Sequence, residues 1–173
     1  MNTLEAIKAR HSTRAFSDRQ VTDDQLEAIL FAGGQAAVGA ADFKSMKLYV
    51  IQDPELLKAI DEASAKNRPG THPLYGAPTL VVLASKESIL PSIEFTNAGC
   101  VIQNMMVAAA DLGVDSIYLW MSMYGINNDP ELIKRLGFPE GFTCVGTMAL
   151  GFEAREFPKI KCDEQRIEVA YIR

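Results

Sequence analysis

The stretch from Phe95 to Leu112 constrains the fold more than any other part of the chain. Its apolar residues recur at helical spacing, which predicts one long α-helix. Most of the helix circumference is apolar, and Asn97, Asn104 and Asp111 leave only one narrow polar stripe. A helix of this kind must be buried on more than one side. We therefore expect it to pack against a sheet and a second subunit, and a central core helix in a monomer remains the alternative.

Four other stretches have the composition of β-strands. Residues 79–84 form a continuous apolar run, which suits a strand buried on both faces of a sheet. Residues 47–52 are rich in β-branched and aromatic residues, and residues 116–120 and 143–150 are predicted as two further strands.

Helix start signals separate these strands. Thr22 and Gln25 have the spacing of a capping box. Asp-Pro pairs at residues 53–54 and 129–130 begin two further helices, because proline is well tolerated in the first turn. A chain of 173 residues with 48% hydrophobic content can bury one core, so we predict a single globular domain over residues 1–173.

The charge and the cysteine content exclude several classes of protein. The net charge of −5 argues against nucleic-acid and membrane-surface partners, which favour basic faces. No apolar run has the roughly 20 residues of a transmembrane helix, and the first residues lack a signal-peptide pattern, so we expect a cytoplasmic protein. Three widely spaced cysteines and two histidines predict neither a disulfide framework nor a metal site.

A basic cluster stands out near the N-terminus of this acidic chain. Arg10, His11, Ser12 and Arg14 bring two guanidiniums, an imidazole and a hydroxyl into five residues. Arg10 and Arg14 share a face in a helix, and Arg10, Ser12 and Arg14 share a side in an extended chain. In either conformation the hydrogen-bond donors of these side chains point in one direction, which suits the binding of a phosphate group. A solvated basic surface is the alternative that spacing leaves open.

Two other segments carry weaker signals. Residues 35–46 are rich in small side chains, including Val38 and Gly39, which let the backbone approach a flat ligand or another chain, although an ordinary loop fits as well. Near the C-terminus, Ile167, Val169 and Tyr171 fall on alternate positions, which predicts an edge strand over residues 166–172.

The motif Arg-His-Ser-x-Arg-x-Phe at residues 10–16, after one short helix that reaches His11, resembles the nitroreductase family. The resemblance extends over nearly the whole chain. It includes Gly-Ala-Pro at residues 76–78 before a buried strand, the long helix from residue 97 onward, and Gly-Phe at residues 151–152.

This resemblance implies an α+β, nitroreductase-like fold. Its central sheet would be mostly antiparallel and flanked by helices, and its long central helix would form a homodimer interface. The C-terminal strand would join the sheet of the partner subunit. Each flavin would lie at the interface, and one subunit would lend the segment that contains Val38 and Gly39 to the flavin of its partner. Many members carry Asn-x-Gln-Pro-Trp there, whereas this chain has Asp-Phe-Lys-Ser-Met at residues 42–46.

The resemblance also implies roles for the basic residues. Arg10 and Ser12 would bind the phosphate or the ribityl hydroxyls of FMN together with Lys159 and Lys161, two tail residues that could equally be solvated. His11 would contact the phosphate or the ribityl chain. Arg14 would lie at the pyrimidine edge, near N1 and the C2 carbonyl, where a fixed cation stabilises the negative charge of reduction.

Three further candidates would flank the flavin ring. They are Tyr118, Leu119 and Trp120, at the end of a predicted strand. An aromatic residue there can stack on a flavin, but a buried strand aromatic in the core is equally compatible with the sequence.

The implied function is that of an FMN-dependent oxidoreductase. NAD(P)H would reduce bound FMN, and an electron-poor acceptor such as a nitroaromatic or a quinone would take the hydride. No catalytic side chain and no metal are expected, because the cofactor carries the redox chemistry. Two alternatives stay open: a flavin-binding storage or sensing protein without turnover, and a flavin-free module that binds phosphate through Arg10 and Arg14.

Overall fold

A four-stranded antiparallel sheet forms the centre of the computed structural model, which describes residues 1–66, 68–88, 90, 92–155 and 165–173. The strands are β1 (Met46–Ile51), β2 (Thr79–Lys86), β3 (Asp115–Tyr118) and β4 (Phe142–Gly151). They are ordered β1-β2-β4-β3, so β2 and β4 lie in the middle and β3 lies at one edge. The antiparallel sheet that the resemblance implied is confirmed.

Both faces of the sheet are covered by apolar clusters. Leu80 and Val82 of β2 point into one cluster, and Val81 and Leu83 point into the other. This alternation explains why β2 reads as one continuous apolar run, since every side chain of a doubly covered strand is buried. The predicted burial of this strand on both faces is confirmed.

The helices divide between these two faces. One layer contains α1 (Thr3–Ala9), α2 (Asp23–Gly34) and α4 (Ile93–Asp111), and the other contains α3 (Pro54–Ala65), α5 (Trp120–Asn127) and α6 (Pro130–Leu136). Two short 3-10 turns, Gly39–Ala41 and Phe43–Ser45, precede β1. The capping box of Thr22 and Gln25 and the Asp-Pro starts of α3 and α6 are all confirmed.

The long helix α4 is covered on two sides. It packs on β3 and β4 on one side and on α1 and α2 on the other. Gly146 of β4 lets it lie close to the sheet, because a Cβ there would stand 2.6 Å from Cδ1 of Ile102. The predicted contact with a sheet is confirmed, whereas α1 and α2 supply at least part of the second cover that we assigned to another subunit.

The ends of the first helix and of the third strand differ from the predictions, and one helix was not predicted. The first helix ends at Ala9 rather than His11, because Arg10 turns to φ −58° and ψ 124°. The third strand ends at Tyr118, and Trp120 instead begins α5. No start signal announces this helix, since Leu119 provides no side-chain cap.

The predicted edge strand at residues 166–172 was wrong for the chain taken alone. Residues 165–173 form no strand with the described sheet, and Ile167, Val169 and Tyr171 are exposed. Exchange of this segment with a partner subunit remains a prediction. None of the helices in the described part of the chain combines the length and hydropathy needed to span a bilayer.

The contact between α5 and α3 generates a stability prediction. A Cβ on Gly125 would lie 2.7 Å from the backbone nitrogen of Ser64, too close for either helix to stay in place. We expect Gly125→Ala to lower the free energy of unfolding by about 1–3 kcal/mol, the usual cost of overpacking. Urea denaturation measures this change.

Gly34→Ala is the matched control, because a Cβ at the end of α2 would meet nothing within 4 Å. We expect that variant to be at least as stable as the wild type, because alanine favours a helix over glycine. Equal stability of the two alanine variants would show that the close approach of α3 and α5 does not matter.

Candidate functional site

The basic segment after α1 adopts the extended alternative. Its backbone joins the edge of the sheet, where the N–H of Thr13 donates to the carbonyl of Ser116 at 3.1 Å. Further along, the N–H of Ser17 donates to the carbonyl of Phe152 at 2.8 Å. The segment is therefore held between β3 and the chain that leaves β4.

This extended backbone sorts the side chains into two sides. Thr13 is 1% exposed, whereas Arg14 is exposed and Arg10 and Ser12 are half-buried. One guanidinium N–H of Arg14 donates to the carbonyl oxygen of Ser12 at 3.2 Å. Since alternate residues of an extended chain share a side, Arg10, Ser12 and Arg14 form one donor row.

His11 has other partners. Its Nε2 lies 2.6 Å from Oε1 of Glu153 and 3.6 Å from Oδ1 of Asp115, and its Nδ1 lies 3.1 Å from the carbonyl oxygen of Ala9. Two carboxylates beside the imidazole disfavour contact with a phosphate. Sequence reasoning missed Asp115 and Glu153, because more than a hundred residues separate them from His11 and no local pattern marks them.

Tyr118, Leu119 and Trp120 occupy three different environments. Tyr118 is half-buried, and burial, followed by the nearby Cys144 thiol, raises its pKa. Leu119 is 6% exposed and packs in the core, so it has little surface to offer a ligand. Trp120 is 54% exposed at the start of α5, and Tyr124, an equally exposed ring one turn later, is an additional aromatic candidate that we did not predict.

The sheet edge brings the basic and aromatic candidates side by side. Ser12 pairs with Ser116 in a parallel bridge. Both chains run in the same direction from that pair, so Arg14 and Tyr118 each follow it by two residues. The donor row of Arg10, Ser12 and Arg14 therefore runs alongside β3 and leads towards the start of α5.

Val38 and Gly39 lie elsewhere in the chain. The N–H of Gly39 donates to Oδ1 of Asn97 at 2.9 Å, which anchors the loop to the first half of α4. Gly39 borders a cleft of about 340 Å³ that also includes Lys86 and Glu94 but no residue of the basic segment. Among the described residues, this cleft is therefore separate from the basic segment.

Lys159 and Lys161 lie outside the described residues. Cys144 is fully buried, and burial raises the pKa of its thiol to about 12, so it is not available as a thiolate nucleophile.

Comparison with known proteins gives a consistent result. The model of the nitroreductase family matches residues 7–152. A protein of Methanothermobacter thermautotrophicus, named "Putative NADH dehydrogenase/NAD(P)H nitroreductase", is 29% identical over 162 residues, which cover 89% of this chain and 78% of the relative.

Two solved structures share the fold. A nitroreductase with bound FMN from Desulfitobacterium hafniense is 25% identical with a TM-score of 0.85. A nitroreductase with bound FMN from Bacteroides fragilis is 27% identical with a TM-score of 0.83. Each alignment covers 99% of this chain and 100% of the other.

Proposed function

This chain belongs to the nitroreductase family, and we propose that it is an FMN-dependent oxidoreductase that passes hydride from NAD(P)H, through bound FMN, to an electron-poor acceptor such as a nitroaromatic or a quinone. The observation that carries the proposal is the donor row of Arg10, Ser12 and Arg14 beside β3, within a fold shared with two FMN-bound nitroreductases. The name of the curated relative supports the same reaction class.

The chemistry of the donor row fits a flavin phosphate and its ribityl chain. Guanidinium groups present planar forks of N–H donors to anionic oxygens, and hydroxyls pair with both phosphate and sugar oxygens. Arg14 uses one N–H on the Ser12 carbonyl, and an arginine carries five such donors. We assign Arg10 and Ser12 to the phosphate or ribityl oxygens, with Lys159 and Lys161 as further candidates.

His11 is left out of this assignment, because it already faces Glu153 and Asp115. Arg14 is assigned to the pyrimidine edge of the flavin. Its fixed positive charge would stabilise the negative charge that develops there on reduction. The same side chain would then contribute to both affinity and reduction rate.

Tyr118 and Trp120 are the aromatic candidates for the flavin ring, since both keep exposed surface next to the donor row. Bound FMN supplies the redox chemistry itself, by accepting and returning a hydride. The protein then has only to position the ring and exclude side reactions. Such a protein needs no thiolate nucleophile, which agrees with the burial of Cys144 and the raised pKa of its thiol.

We also propose that the protein works as a homodimer. Large apolar side chains are exposed on α1, α2 and α4, three helices that pack together, and they are Leu4, Ile7, Phe31 and Phe95. Exposed apolar surface of this kind marks interaction sites. A second copy would also let Val38 and Gly39 approach the flavin bound by its partner, and it would cover the apolar residues of the C-terminal segment.

Flavin content and turnover test the function directly. The protein as purified should show the two visible absorption bands of oxidised flavin. NADH or NADPH added without oxygen should bleach them, and a nitroaromatic or quinone should restore them. Bands that neither nucleotide bleaches would favour a storage or sensing protein. A colourless protein that gains no bands with added FMN would favour a flavin-free phosphate-binding module.

The role of Arg14 gives a second test. Arg14→Ala should weaken FMN binding by about 10- to 100-fold, because hydrogen bonds to charged groups contribute roughly 1.5–3 kcal/mol. It should also slow flavin reduction at saturating FMN. Fluorescence titration and anaerobic stopped-flow absorbance measure the two effects.

Arg135→Ala, which removes the same charge from the exposed last turn of α6, is the control and should behave as the wild type. Equal affinity and reduction rate in Arg14→Ala and Arg135→Ala would contradict the assignment of Arg14.

The homodimer gives a third test. Sedimentation equilibrium should yield about twice the 19.0 kDa of one chain. Leu4 is 71% exposed on α1, so Leu4→Asp should leave the fold intact while it weakens the dimer by desolvating a charge. Lys58→Asp, which places the same carboxylate on the exposed side of α3 in the opposite helix layer, should remain dimeric. A wild type that sediments as a single chain would refute the dimer.

A further inference from the structure

Three potential metal ligands from distant parts of the chain converge beside the basic segment. They are His11 after α1, Asp115 at the start of β3 and Glu153 after the end of β4. One ligand atom from each lies within 4.8 Å of the others. All three side chains are partly buried, with exposed fractions of 30%, 23% and 14%. The proposed function assigns no role to this cluster.

The backbone orients two of these side chains. Nδ1 of His11 lies 3.1 Å from the carbonyl oxygen of Ala9, so a proton on Nδ1 leaves the Nε2 lone pair facing the carboxylates. The N–H of Glu153 donates to Oδ2 of Asp115 at 2.8 Å, which holds Oδ1 towards His11. A ring N–H bonded to a backbone carbonyl is the usual support of a metal-ligating histidine.

The distances suit a small divalent ion. Nitrogen and oxygen ligands lie about 2.0–2.2 Å from Zn²⁺ in a tetrahedron, so they stand roughly 3.3 Å apart. The 3.6 Å between Nε2 and Oδ1 of Asp115 is close to that value. The 2.6 Å contact with Glu153 would have to open, which the flexible glutamate side chain allows. A cleft of about 450 Å³ bordered by all three residues leaves room for water as a fourth ligand.

The charges in this cleft also matter. The two carboxylates carry a charge of −2, which a divalent ion would balance, and the ion would take the place of any proton that Nε2 shares with Glu153. Arg10 and Met1, which carries the positive α-amino group, border the same cleft. The amino group already pairs with Asp111 at 2.5 Å, and that pairing reduces its repulsion of a cation.

We propose that His11, Asp115 and Glu153 form a binding site for a divalent transition-metal ion such as Zn²⁺. The bound ion would join the segment after α1 to the start of β3 and to the chain that leaves β4. It would thereby stabilise the backbone that carries Arg10 and Arg14. The ion would be structural, and the proposal does not depend on whether the protein binds FMN.

Calorimetric titration with ZnCl₂ tests the site on the full-length protein, after treatment with EDTA and dialysis. The wild type should bind Zn²⁺, and His11→Ala and Glu153→Gln should each lose at least about tenfold in affinity through the loss of a ligand. Zn²⁺ should also raise the melting temperature of the wild type, because only the folded state holds the three ligands in place. The melting temperature of His11→Ala should rise less. Far-UV circular dichroism checks that the variants are folded.

His72→Ala is the matched control. His72 lies 3.0 Å from Oδ2 of Asp61, but it is 81% exposed and belongs to no three-ligand group in the described part of the chain. It should retain the wild-type affinity. A wild type without detectable Zn²⁺ binding, or with the same affinity as Glu153→Gln, would overturn the proposal and leave an ion pair of His11 with its carboxylates.

Discussion

The burial of α4 between the sheet and the α1–α2 layer is the interaction on which the rest of the structure depends. Ala98, Ile102, Met105 and Ala109 are at most 1% exposed, and all belong to one apolar cluster with the inner face of β2 and β4. Full burial of a large aliphatic side chain contributes about 1.5–3 kcal/mol. The helix can lie this close because Gly146 presents no side chain to Ile102. This packing joins β3 and β4 to the α1–α2 layer through one helix.

The candidate site lies at an edge of the sheet where one strand has backbone groups that are not paired with another strand. Among the described residues, β4 is the one strand that pairs with the edge strand β3, so the other side of β3 still offers backbone groups. The segment after α1 takes one of them, through the bond from Thr13 to Ser116. An extended chain at that edge must place alternate side chains on opposite sides. Thr13 is therefore buried, and Arg14 faces outward next to the aromatic start of α5.

Local chemistry made much of this fold predictable from the sequence. The capping box at Thr22, the Asp-Pro starts of two helices and the apolar run of β2 each depend on residues that are close together in the chain. The start of α5 at Trp120 was missed, because neither a cap residue nor a break in the apolar pattern precedes it.

The candidate site was predictable only in part, for the same reason. The basic segment and the residues after β3 are local motifs, and they could be recognised. The pairing of His11 with Asp115 and Glu153 depends on which segments meet at the edge of the sheet. The spacing of these residues in the sequence does not indicate that they meet. The core position of Leu119 likewise depends on where β3 ends. Contacts between distant segments are thus the part that the sequence alone could not supply.

The loop at residues 38–41 has a strained backbone and is anchored to the buried helix α4. Ala40 and Ala41 adopt φ values of 57° and 51°, a left-handed conformation that costs roughly 1–2 kcal/mol for each non-glycine residue. The bond from Gly39 to the buried Asn97 of α4 helps to hold this strained turn. Strain that the surrounding structure maintains is typical of segments with a binding role. The same helix thus anchors this loop through Asn97 and packs against β3, beside which the basic segment lies.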